Sequence, residues 1–208
     1  ARESAGWTGT TSIPRELSLN NDGSLRITPI QELQSLRNDH CSIRDLLLDS
    51  DNKVWRSTVN SSQTEIRIDV ERRNADSIQI NVLSSPNGEE VSSVIYDWSV
   101  NQLSIDTTNS STNDSDSLLK EVQIGGVGSA PKLASALTEP PFNIADDEML
   151  RLHIFVDRSI IEVFANDRSC LTTRIYPTRT DSVGVNVKAT GGSALIKSLD
   201  IWDIKSIW

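Results

Sequence analysis

Two carboxylates, Asp157 and Glu162, bracket a predicted tight turn at Asp157-Arg158-Ser159. Five positions apart across a hairpin, they could approach each other. A pair of carboxyl groups about 5–5.5 Å apart serves a retaining glycoside-cleaving site as nucleophile and acid/base. A structural account competes with this chemistry. Aspartate suits a turn because its side chain accepts from nearby backbone N–H groups, and Glu162 has Arg158 and Arg174 as candidate ion-pair partners. The two histidines, His40 and His153, are far apart in sequence, and no Gly-x-Ser-x-Gly nucleophile motif accompanies them. His153 falls on the polar side of an alternating strand and reads as a half-exposed strand histidine. The acidic run Asp146-Asp147-Glu148 lacks the spaced oxygens of a calcium loop. Gly125-Gly126-Val127-Gly128 lacks the Lys-Ser/Thr of a phosphate-binding loop. Neither a metal nor a cofactor is expected.

The elements that must carry these residues have a period of two. Ile66, Ile68 and Val70 share one face of the stretch 64–70, with Arg67 and Asp69 on the other. The stretches 77–83, 150–156, 183–187 and 199–201 repeat that alternation, which marks half-buried strands. Turn signals separate them at Pro86-Asn87-Gly88, Asn166-Asp167 and Gly191-Gly192. Eight to ten short strands with a turn about every ten residues predict an antiparallel sandwich or barrel. One short helix is expected over 29–37, with Pro29 in its first turn and Ile30, Leu33 and Leu36 at helical spacing. Residues 107–117 form a polar low-complexity tract, read as a surface loop. Residues 1–19 read as extended segments that belong to something other than the following β domain.

The chain has 208 residues, of which 37% are hydrophobic, enough for a real core. Its net charge is −9, so nucleic acid and anionic membrane surfaces are poor partners. No apolar run approaches the roughly 18 residues of a membrane span. Residue 1 is not followed by an apolar leader, so either the chain is cytosolic or a leader has been removed. Three Asn-x-Ser/Thr triplets, at Asn60, Asn109 and Asn113, lie in polar turn-like stretches and favour secretion. Cys41 and Cys170 are too few for a disulfide scaffold and leave one bridge or two thiols open.

The stretch Gly6-Trp7-Thr8-Gly9-Thr10-Thr11-Ser12-Ile13-Pro14-Arg15-Glu16-Leu17-Ser18-Leu19 resembles a segment of glycoside hydrolase family 32, the invertases, inulinases, levanases and fructosyltransferases. A linker in the style of that family follows at Leu25–Arg37. The run from Leu152 to Asp167, carrying Asp157, Arg158, Ser159, Glu162 and Phe164, is similar to the family's signature hairpin, and Thr173-Arg174-Ile175-Tyr176-Pro177 continues it. These stretches occur in family order.

The resemblance implies an all-β chain: the last strands of a catalytic β-propeller over 1–28, a linker helix over 29–40, and a C-terminal two-sheet β-sandwich over 41–208. It also implies that the family's three catalytic carboxylates, in Asn-Asp-Pro-, Arg-Asp-Pro- and Glu-Cys-type motifs, lie outside this sequence, where none of those motifs occurs. No catalytic residue carries over, and Trp7, Pro14, Arg15, Leu17, Asp157, Arg158, Ser159, Glu162 and Phe164 are structural motif positions. The expected function is the non-catalytic part of a secreted β-fructofuranosidase-like enzyme. Its partner would be the propeller half, as a second chain or a missing segment, with a dimer contact as a further role. The rival reading is a free-standing lectin-like carbohydrate-binding module, which would need exposed aromatics on one sheet face.

Overall fold

The computed structural model describes residues 10–49, 54–112, 136–138, 142–145 and 147–206. Trp7 and Asn113 lie outside these residues, as does most of the polar tract after residue 112.

The alternating stretches are strands, and they form two six-stranded antiparallel sheets. In the first, β5 (Gln63–Arg72), β10 (Leu150–Asp157), β11 (Ile160–Ala165), β12 (Ser169–Arg174), β14 (Ser193–Ile204) and β3 (Arg37–Asp49) are ordered β12-β11-β10-β5-β14-β3. The second holds β4 (Trp55–Arg56), β13 (Gly184–Thr190), β6 (Ser77–Ser84), β7 (Ser92–Asp97), β8 (Gln102–Asp106) and β9 (Ala136–Thr138) in the order β4-β13-β6-β7-β8-β9. Ile66, Ile68, Leu152, Ile154, Ile78 and Ile80 are all buried, so the apolar faces of both sheets close on one core. Each such side chain contributes roughly 1.5–3 kcal/mol on full burial. This is the expected sandwich.

The sequence-predicted helix over 29–37 differs. Pro29 ends a strand, β2 (Leu25–Pro29), and only Gln31–Leu36 turn, as a short 3-10 helix with no buried residue. Ile30 and Arg37 on either side are extended, with ψ of 149° and 136°. With Ile30, Leu33 and Leu36 only half-buried, a longer α-helix has too little packing to hold it. Strand β3 then begins at Arg37, so the expected boundary at 41 falls inside a strand.

Residues ahead of the linker form a separate two-stranded hairpin, β1 (Arg15–Leu19) with β2, in the register Leu17↔Ile27. Pro14 closes its base by accepting from Ile30 N–H at 3.3 Å. Cys41 and Cys170 are not bonded to each other. They sit on β3 and β12, the two opposite edge strands of the first sheet, so no bridge can join them.

Candidate functional site

The register of the first sheet lines up Thr172, Glu162, Phe155, Glu65, Trp202 and His40 in one row across all six strands. Alternation puts this row on the face away from the core. That face would ordinarily meet water, yet Glu162 and Glu65 are each only 1% exposed. What covers them is the N-terminal segment.

Glu162 is held from three directions. It accepts from Ile13 N–H at 2.7 Å, from an Arg15 Nη2 donor at 2.7 Å, and from the Thr172 hydroxyl at 3.4 Å. The Arg15 guanidinium also lies over the Phe164 ring at 5.5 Å. Glu65 repeats the arrangement at the other end of the segment. Arg37 donates to both of its oxygens, at 2.9 and 2.5 Å, and its guanidinium stacks 3.9 Å from the Trp202 ring centre. His153 Nε2 lies 2.7 Å from Glu65 Oε1, and Trp202 in turn stacks flat on His40 at 4.7 Å. Burial alone would push the Glu65 carboxyl up, but the bonds from Arg37 and His153 outweigh it and hold the group at about 2. Between these two anchors Asp167 pairs with Arg26 at 3.1 Å, and its carbonyl accepts from Ile27 N–H at 2.8 Å.

The segment 13–37 is therefore strapped to the sheet at both ends by one motif: an arginine, a buried glutamate and an aromatic ring beneath. Bidentate or closely packed guanidinium–carboxylate contacts fix orientation as well as distance. Such a site positions one element on another. Glu65, locked ionised, is unsuited to deliver a proton.

The hairpin carrying the other candidate residues turns at Arg158, which adopts φ 52° and donates its N–H to Ser62 at 2.8 Å. Asp157 is exposed at the turn and pairs in register with Ile160, whereas Glu162 pairs with Phe155. Ser159 accepts from Ile175 N–H and from Arg174 Nε, both at 3.0 Å. Glu162 thus takes Arg15 as its partner in place of the expected Arg158 or Arg174. Phe164 is buried among His153 and Phe155. Pro14 and Leu17 belong to the docked hairpin, and Leu17, Leu19 and Leu25 project from it at 65%, 72% and 48% exposure. Asn60 and Asn109 are exposed, the first in an irregular loop and the second in a turn. Glu65, Arg37 and Trp202 were not singled out by sequence reasoning. Their only signal was a polar or aromatic residue on the outward phase of a strand. Among the described residues no group of three or more His, Cys, Asp or Glu side chains could hold a metal.

A family profile described as "Glycosyl hydrolases family 32 C terminal" matches residues 32–203. A sucrose-6-phosphate hydrolase of Zymomonas mobilis is 27% identical over 206 residues, covering 96% of this chain and 35% of that protein. An extracellular exo-inulinase of Aspergillus awamori is 26% identical over 208 residues, covering 97% and 36%. The crystal structure of an exo-inulinase from Aspergillus awamori superimposes with a TM-score of 0.73 at 24% identity, over 95% of this chain and 36% of that one. The chain thus spans about a third of the length of these relatives.

Proposed function

The chain belongs to glycosyl hydrolase family 32, as its C-terminal domain, and from that premise we propose that it is the non-catalytic sandwich of a secreted β-fructofuranosidase-like enzyme. The parent chemistry is retaining cleavage of, or fructosyl transfer from, β-fructosides such as sucrose or fructans. Its carboxylate trio resides in a propeller that this sequence does not contain. The sandwich supports that propeller through the strapped hairpin. The observation that carries this reading is the contrast along 13–29: the start of the segment is fixed by Ile13 and Arg15 on Glu162, while Leu17 and Leu19 farther along β1 are exposed. Two exposed leucines and a third nearby make an apolar patch of the kind that marks an interaction surface. The sequons at Asn60, Asn109 and Asn113 support passage through a secretory pathway. Asp157 and Glu162 have no part in bond cleavage in this reading, because Glu162 is saturated by structural partners.

The test is fructose release from sucrose and inulin by residues 1–208 alone. No turnover is expected, and activity should need the propeller-bearing part. Turnover by the chain alone that vanishes on Glu162→Gln would overturn the reading.

A further inference from the structure

Strand β3 is 13 residues long and is the outermost strand of its sheet. A long open edge offers a row of unpaired N–H and C=O groups to a second copy, and natural folds blunt such edges with kinks, charges or covers. The second half of β3 has such a device. Asp45 adopts φ 51°, which kinks the strand locally, and Lys197 pairs with its carboxylate. The first half, around Asp39–Ile43, has no such kink.

Beside that first half lies an open groove of about 630 Å³, between β3 and the loop that precedes β5. Asp39, His40, Thr58, Val59, Asn60 and Asp203 line it. Its walls suit a sugar: the Asp39 and Asp203 carboxylates accept from hydroxyl and acetamido N–H groups, and the Thr58 hydroxyl can donate or accept. Asn60 is the sequon asparagine of Asn60-Ser61-Ser62, and it is exposed. Its amide donates to the Thr58 carbonyl at 3.3 Å, within its own loop. The backbone behind it is firm: Ser61 N–H donates to Val183 at 3.1 Å, and Ser62 accepts from Arg158 N–H at 2.8 Å.

We propose that Asn60 carries an N-linked glycan whose first sugars lie in this groove and cover the open half of the β3 edge. The glycan and the Asp45 kink then protect the two halves of one edge strand. This inference rests on the secretory reading above. Asn109, exposed and not among the residues lining the groove, separates the two claims.

The protein is secreted from a yeast host, and site occupancy is read by peptide mapping after enzymatic deglycosylation in heavy-oxygen water. Sedimentation velocity and amide exchange over 38–44 are then compared for the glycosylated protein, the endoglycosidase-trimmed protein and Asn60→Gln. Asn109→Gln serves as the control. Occupied Asn60, severalfold faster exchange over 38–44 in Asn60→Gln, and self-association of that variant alone are expected. Trimmed protein, which keeps the first sugar, should stay close to the untrimmed form. Asn109 occupied with Asn60 bare would overturn the proposal and leave the secretory reading standing. All three sequons bare would overturn both. Asn60 occupied, with exchange and sedimentation unchanged in Asn60→Gln, would overturn the shielding role.

Discussion

Replacing Glu65 with glutamine probes the strap at its most buried point. In the folded protein this carboxyl sits at about 2, against an ordinary 4.5. At about 1.4 kcal/mol for each tenfold change in proton affinity, that displacement corresponds to about 3 kcal/mol of folding stability. Above pH 4.5 the carboxylate is ionised in both folded and unfolded chains, and the full contribution is present. As pH falls toward 2, the unfolded chain takes up a proton that the folded chain refuses, and the contribution disappears. Glutamine preserves shape but leaves Arg37, whose side chain is 18% exposed, without its anion. Removing one partner of a buried pair costs about 3–5 kcal/mol. Glu65→Gln should therefore lose about 3 kcal/mol at pH 7, and the gap to the parent should close as pH approaches 2. Glu90, also held at about 2, is common to both proteins and cancels from the difference. Urea unfolding followed by tryptophan fluorescence between pH 7 and pH 2.5 measures the gap without adding salt. A difference below about 0.5 kcal/mol at pH 7, or one that does not change with pH, would refute this account of the clamp.

Glu162→Ala should release the other end of the strap. A local loss of about 2 kcal/mol predicts roughly 30-fold faster amide exchange over 13–19, and exchange equal to the parent's would count against the anchor. Glu90→Gln should destabilise by about 2–3 kcal/mol, because the buried carboxylate accepts from Thr112, Thr178, Arg179 and Ser182, and one amide N–H2 would then face those donors. Thermal unfolding gives the value. Two glycines should separate cleanly in the same assay. A Cβ at Gly192, where φ is 146°, would come within 2.4 Å of the Asn74 carbonyl, so Gly192→Ala should cost about 3 kcal/mol or more. Gly88, at φ 76° with nothing within 4 Å, should lose about 1 kcal/mol as alanine. Equal losses at the two positions would show that the close approach in the β13–β14 turn is absent.

Period-two alternation was legible wherever one face of a strand meets the core and the other does not. Thus 64–70, 77–83 and 150–156 correspond closely to β5, β6 and β10. The same rule fails at β11, where all six residues are buried. There the pattern Ile-Ile-Glu-Val-Phe-Ala loses its polar phase because a second layer covers the outer face. It also hides Glu65: on the outward phase of β5, a glutamate buried under Arg37 looks the same as one facing water. The partner of Glu162 was out of reach for another reason. Arg15 is 147 positions away, and nothing local distinguishes it from Arg158 or Arg174. The helix expectation failed because three apolar residues at helical spacing are only half-buried in this linker. The family motif, by contrast, marked Arg15, Glu162 and Phe164 together, and these three residues make one of the two anchors.

The place of β14 has a consequence for how this domain is made. It follows every other strand in sequence, yet it lies between β5 and β3 and pairs with both along most of its length. A nascent chain on the ribosome therefore holds β3 for some 150 residues of further synthesis before its sheet partner emerges. Stepwise folding during translation is closed to this sheet, whose completion waits on long-range pairing, the slow class of β assembly. The same geometry makes quality control strict. A premature stop before residue 193 would strand β3 without a neighbour and open the β5 edge at once, so a truncated product would present two unpaired strands to the proteostasis machinery.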